Sequence, residues 1–526
     1  MSSHSHLSMT ETSCPSHLHI VKRGHHDLKL KTGLLTLPEE LQINILHLLS
    51  CRDILRCISV CKALRQMYTS SSELQYIVEL SGQRLLPVPN TDNHTPISER
   101  LQLLRDKAHA WFKFNPHSFE TVSIPNNNRL YYAEKIVTRE HFCLWDPDVA
   151  AIIPILPKSP QQTVERWHKL NSVISVAHSD LEKLDVFMDL AQNLIVVAYL
   201  VQGTPHIDLR ALDGGVHPQA AGSRLLLSEL LRYKANDMDE SANLKGLGRH
   251  IALRRIVPHL DQWHLQIWDW RRSTTSNCFF NGEADSIDFC FLGNDRLLVA
   301  SDALKLYSIE DMSRAPQLLA CFLLPTTPLF TPTILQTEPQ MHAQQMYTSN
   351  PEHQLLCITY CISLECDPFV FIISASIFSD LDETAVTTPI PWNRWGPSNS
   401  RVFEQDCNGN IHLSGNRVLQ AIPAGEPDYS DDSYYIFRMM DFSPLAEVNS
   451  RGLGRVVKET SAIDISGITK EARSLITSLP YVEFVSDKVP KGSGLADIWI
   501  DTDRIYALLV SYNGSEFSNK LEVIDI

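Results

Sequence analysis

The 526-residue chain has no apolar run long enough to cross a membrane as a helix. Its longest, such as Leu194 to Val201, fall far short of the ~20 residues that a bilayer requires. It also lacks an apolar leader: Met1 to Ile20 is polar and His-rich, so neither secretion nor membrane insertion is expected. The sequons at Asn93 and Asn513 then read as idle surface loops. Positive charge is short as well, with 46 Lys and Arg against 61 Asp and Glu and a net charge of −15. No basic stripe with interleaved aromatics reverses this locally, so nucleic acid is not an expected partner. The 12 cysteines are scattered through apolar segments of a large chain and read as reduced thiols, which places the protein in cytosol or nucleus.

Catalytic and cofactor signatures are missing too. Gly246-Leu-Gly-Arg and Gly452-Leu-Gly-Arg have no third glycine, no following Lys-Ser/Thr and no helix, so each reads as a turn into a strand rather than a phosphate cradle. Cys357, Cys361 and Cys366 are separated by three and four residues, where zinc ribbons use two. His4, His6, His17, His19, His25 and His26 have no cysteine or carboxylate completing a ligand set. Asp261 with His264, and Asp501 with Asp503, have no third group or nucleophile at an interpretable spacing. The expectation is a protein with no cofactor, no metal and no catalytic residues of its own.

What the chain does have is a concentrated apolar stretch near its start. From Leu34 to Tyr68 twenty of 35 residues are apolar, about 57%, against 44% overall. Thr36 and Glu39 stand at capping-box spacing around Pro38, predicting a helix from about Pro38 with Leu41, Ile45, Leu48 and Leu49 on one face. Ser50 with Asp53 opens a second helix, and Val60, Leu64 and Met67 mark a third. Three helices in so short a span lie below the ~40 residues at which a lone core suffices. Either the rest of the chain covers their leucines or a separate partner does.

The run Leu37-Pro38-Glu39-Glu40-Leu41, Ile45-Leu46, Leu49, Asp53-Ile54-Leu55, Val60-Cys61-Lys62 resembles the F-box motif without a gap. One position departs from it, because Leu64 stands where many members carry an aromatic. The resemblance implies docking on a Skp-type adaptor and, through it, on a cullin. It carries adaptor-contact roles to Leu37, Pro38, Leu41, Ile45, Leu49, Asp53, Leu55 and Val60, with Cys61 and Leu64 internal to the unit.

Further along, Ser98 to Phe114 shows Leu101, Leu104, Ala108 and Trp111 at three- and four-residue steps, predicting a connector helix that Ser98 caps. From about Asn115 the text changes to short runs rich in Val, Ile, Phe, Tyr and Trp, separated by Asn, Asp, Gly and Pro turns. The remaining 412 residues suit about seven propeller blades, eight being possible, with paired β-sandwiches as the alternative. Leu265-Gln-Ile-Trp-Asp-Trp270 looks like the tryptophan-aspartate strand end of a WD-type blade, without the Gly-His pair upstream. Leu521 to Ile526 is placed to close the ring with the first strand after the connector.

The expected organisation is therefore α+β and multidomain. It comprises a tail over 1–33, an F-box helical domain over 34–82, a linker and connector helix over 83–114, and a β-propeller-like body over 115–526. The expected function is substrate recognition within a Skp/cullin/F-box ubiquitin ligase, the β body holding an unknown protein substrate. A scaffold that assembles partners without ubiquitin transfer is the alternative, and an enzyme built on a propeller is a third reading.

Overall fold

A computed structural model describes residues 33–88, 95–113, 119–124, 134–137, 141–145, 149–155, 166–169, 181–202, 204–228, 242–257, 262–283, 287–329, 332–336, 346–362, 367–379, 381, 388–404, 410–424, 434–466, 474–486, 494–513 and 516–526. The His-rich tail, Asn93, Asp261 and Cys366 lie outside the described residues. The chain divides into two units between Ser71 and Ser72.

The first unit is helical, with α1 (Glu39–His47), α2 (Cys51–Val60) and α3 (Lys62–Ser70). Ser50 caps α2 as its spacing predicts. Its Oγ accepts from the Asp53 N–H at 3.2 Å and donates to the Asp53 carboxylate at 2.8 Å. The first helix is capped differently from the expectation. Leu34–Thr36 form a 3-10 turn in which the Thr36 hydroxyl donates to the Gly33 carbonyl at 2.7 Å, and the extended Pro38 stands at the N-cap. Thr36 is thus occupied within its own turn. Val60 ends α2 instead of opening α3.

The second unit begins with α4 (Ser72–Gly82) and α5 (Ile97–Lys113), and α4, grouped with the F-box helices in the sequence reading, packs along α5. On α5 the periodic residues Leu101, Leu104, Ala108 and Trp111 are buried, joined by His109 and Phe112. The Pro96 carbonyl, accepting from the N–H groups of Glu99 and Arg100, closes the first turn ahead of Ser98.

Seven antiparallel sheets of four or five strands follow, and they form a seven-bladed propeller. Blades 1 to 7 begin at the strands Glu134–Val137, Leu181–Asp189, Ala242–Leu247, Asp288–Phe291, Thr333–Gln336, Ile411–Ser414 and Gly494–Ile500. The ring closes as expected: Glu516–Asp525 pairs with Arg504–Asn513 on one side and with Phe119–Ile124 on the other, joining the two ends of the body in blade 7.

Each gap between neighbouring blades holds its own apolar core. Leu298, Leu306 and Phe322 of blade 4 meet Ile358, Phe371 and Ile373 of blade 5. Trp499, Tyr506 and Leu508 of blade 7 meet Val137, Phe142 and Leu144 of blade 1. The remaining five gaps are filled likewise. Strand Leu194–Val201 shows why its sequence is continuously apolar. Ile195, Val197 and Tyr199 face blade 1, while Leu194, Val196 and Ala198 face blade 3. A strand buried on both faces has no polar side to display. In paired sandwiches the outer faces would be wetted and would alternate, so this pattern selects the propeller.

Candidate functional site

In the first unit α1 turns Leu46 and Gln42 inward and leaves its other face bare. Gln42 Nε2 donates to the Leu37 carbonyl at 2.6 Å, which fixes the residues just ahead of the helix. One helical turn separates Leu41 from Ile45, and Leu48 follows on the same stripe. All three are exposed, Leu41 by 48%, Ile45 by 39% and Leu48 by 85%. On α2, Leu55 is exposed and Val60 is 77% exposed, whereas Ile54 is fully buried. Leu37 and Pro38 are also exposed, and Leu49 and Asp53 are half-buried. Leu64 and Met67 turn inward from α3, and Cys61 is half-buried.

The Asp53 carboxyl is held below its usual range by the Ser50 hydroxyl and then by the Arg56 guanidinium, 3.2 Å away. It is therefore anionic at neutral pH and caps α2 as a charged group. Arg52, Arg56, Lys62 and Arg65 are exposed on α2 and α3. The result is a greasy face with polar surroundings on a small helical unit. That chemistry suits docking.

Within the second unit, α4 and α5 are fastened to the propeller. Trp111 Nε1 donates to the Thr502 carbonyl at 3.1 Å, and the Arg417 guanidinium lies 5.0 Å from the Trp111 ring. His109 Nδ1 lies 3.0 Å from the Asn449 carbonyl, and Lys107 pairs with Asp503. Arg84, with φ +56, donates to the His353 carbonyl at 3.1 Å. Trp111 and Phe112 thus anchor the connector helix in the core between blades 6 and 7.

Sequence reasoning missed a set of aspartates on the first strands of the blades. Asp185 accepts from its own following N–H, that of Val186, and from the Leu244 N–H of blade 3 at 2.7 Å. Asp288 repeats this with Phe289 and with the Ile334 N–H of blade 5 at 2.8 Å, and takes Lys245 Nζ at 2.7 Å. Asp497 accepts from the Ile498 N–H at 3.0 Å and faces Lys135 of blade 1. The signal was present as Asp185-Val-Phe, Asp288-Phe-Cys and Asp497-Ile-Trp, each an aspartate heading an apolar run.

Several of the chemical candidates stand in turns, in the core or in ion pairs. Gly248 (φ +57) turns the hairpin between Ala242–Leu247 and His250–Val257. Gly452 and Gly454 lead into a strand. Cys357 is buried, its thiol pushed up to about 12 by burial, and none of the described cysteines forms a disulfide. His264 is buried, and burial followed by nearby Arg255 lowers its pKa. Asp503 serves the Lys107 pair. Trp268 and Trp270 of the WD-like stretch are fully buried and donate to the carbonyls of Leu226 and Gly248, both at 3.1 Å. Among the described residues no group of three His, Cys, Asp or Glu is placed to hold a metal, and no helix is long and apolar enough to cross a membrane.

Residues 34–74 match the F-box-like family. No curated protein matches the chain. Among solved structures, the β-propeller domain of Cps50 (Swd1) from Myceliophteria thermophila is 11% identical with a TM-score of 0.37, covering 78% of this chain and 100% of that one. The WD40 domain of SCAP from fission yeast is 7% identical with a TM-score of 0.34, covering 73% and 82%. Drosophila Semaphorin 2a is 9% identical with a TM-score of 0.35, covering 76% and 74%. At such scores these likenesses carry no part of the argument for the propeller, which rests on the seven sheets and their seven shared cores.

Proposed function

We propose, from the premise of an F-box-like segment joined to a seven-bladed propeller, that the chain is the substrate-recognition subunit of a Skp/cullin/F-box ubiquitin ligase. The helical unit docks on a Skp-type adaptor and the propeller holds a protein substrate. The observation that supports this most is the bare stripe of Leu41, Ile45 and Leu48 on α1, apolar residues left in water while Leu46 is fully buried. Leaving several large aliphatic side chains exposed forgoes about 1.5–3 kcal/mol each, which association recovers. Leu37, Pro38, Leu49, Asp53, Leu55 and Val60 extend the contact in this reading.

The propeller contributes no chemistry to ubiquitin transfer. Holding a substrate lysine near a charged conjugating enzyme raises its effective concentration, and rate follows from proximity. In this reading the work is done in the cytosol or nucleus, which cysteines scattered through apolar segments support.

The test is co-purification with a Skp-type adaptor. Leu41→Asp combined with Ile45→Asp puts two charges on the docking face without touching the buried Leu46. Adaptor capture is expected to be lost while the thermal transition of the propeller is kept. Capture that survives the double variant overturns the reading. A bound partner that never accumulates when the proteasome is inhibited would favour scaffolding.

A further inference from the structure

Blade 6 differs from the other blades. Beyond its fourth strand, Tyr481–Val485, lies a fifth, Arg455–Val457, whose outer side pairs with no other described strand. The strand follows α6 (Ala446–Ser450) through residues with left-handed backbone: Arg451 at φ +51, Gly452 at +84 and Gly454 at +77. Gly454 lies so close to the blade that a Cβ there would stand 2.5 Å from the Glu483 carbonyl oxygen. The second Gly-Leu-Gly-Arg tetrad is therefore the device that presses an edge strand into place and fixes its course.

The one charged side chain on the edge strand itself is a cation, Arg455. Arg451, Arg455 and Lys458 fall within eight residues, with only Glu459 adjoining. Arg455 and Arg438 share one buried carboxylate, Glu483, at 2.8 and 2.5 Å, so two guanidinium groups face a single negative charge. Arg455 is nonetheless 70% exposed. The Lys458–Glu447 and Arg451–Asp106 pairs are exposed and hold their cations weakly. Leu453, Val456 and Val485 are exposed beside them.

An unpaired strand edge is a template for another strand, and cations along it repel a second copy of the same chain. They attract an acidic one. We propose that this edge takes an extended acidic peptide of a protein partner as an added strand of blade 6. Backbone hydrogen bonds would hold it, with carboxylates meeting Arg455 and Lys458 and an apolar side chain covering Val456. Because the edge is already fixed, binding orders the peptide and little else. The proposal rests on the propeller being the receptor, and its test leaves the adaptor out.

The probe is a fluorescein-labelled peptide alternating glutamate and valine, read by anisotropy against the purified full chain. Controls are the matching lysine–valine peptide and the acidic peptide N-methylated at alternate residues. The acidic peptide is expected to bind, more weakly as salt rises, and the lysine peptide is not. Arg455→Glu with Lys458→Glu should weaken binding at least ~10-fold, and N-methylation by a similar factor. Arg438 still covers Glu483, so the melting temperature should hold; if it falls, Arg455→Gln with Lys458→Gln replaces the charge reversal. The proposal is overturned by absence of binding, by equal binding of the N-methylated peptide, or by pairing of chains without peptide uptake. Loss of peptide binding with adaptor capture intact separates this edge from the docking face on α1.

Discussion

Asp288 shows how much a single side chain holds at the residue scale. It is nearly buried, and its two oxygens serve its own blade, the next blade and Lys245. Asp288→Ala leaves the Ile334 N–H without its acceptor and the partly buried Lys245 ammonium with the Phe289 carbonyl but no counter-charge. A loss of about 2–4 kcal/mol in urea unfolding is expected, and a smaller one for Asp288→Asn, which keeps an acceptor oxygen. Equal stability of all three proteins would show that the interblade bonds are incidental. His250 makes a second prediction. Its ring is fully buried against Phe291, and its pKa is lowered from 6.5 to about 4 by burial and then by Arg249. A histidine with a depressed folded pKa leaves stability intact above its unfolded value and costs stability as pH falls from about 6.5 toward 4. The melting temperature should drop across that window, less steeply in His250→Leu. The same slope in both proteins would assign the acid sensitivity to other groups.

At the scale of elements, the closing strand is the clearest case. Removing Leu521–Ile526 deletes most of the pairing to Phe119–Ile124 and half of that to Arg504–Asn513. It exposes two strand edges and opens the core shared by blades 7 and 1. The melting temperature should fall by more than ~5 °C, and an unchanged value would mean that the ring is held elsewhere. Helices and strands with strong periodicity were legible in advance. The C-terminal strand pairs with the first strand after the connector as placed, and α5 buries its predicted stripe. Caps were legible only where side-chain and backbone preferences agree. Ser50 stands at the N-cap of α2 and accepts from the Asp53 N–H, while Thr36 lies in a 3-10 turn two residues ahead of the Pro38 N-cap. The residues proposed to dock came from the motif alone, and that Leu41 and Ile45 lie bare on α1 came from knowing which face Leu46 occupies.

At the scale of the molecule, two units in one chain make separable predictions. A chain beginning at Ser72 keeps α4, α5 and all seven blades, and should melt cooperatively at the temperature of the full chain while capturing no Skp-type adaptor. A truncated protein that aggregates or melts gradually would show that the helical unit is needed for folding. The division after Ser71 falls inside the 34–82 span expected of the helical domain. Helix α4 follows α3 with only Ser71 between them, and its sequence is as helical as what precedes it. Packing along α5 is what assigns it to the second unit.

The sequence by itself determined the local elements, the change from helical to strand periodicity near residue 115, and the F-box-like motif. These depend on spacing along the chain, and spacing is what a sequence records. Tertiary structure alone decided that there are seven blades, that aspartates far apart in the chain join neighbouring blades, and that blade 6 carries an extra edge strand headed by Arg455. Those facts depend on which strands meet, and strands meet through burial of apolar faces and pairing of backbone groups that no linear spacing encodes.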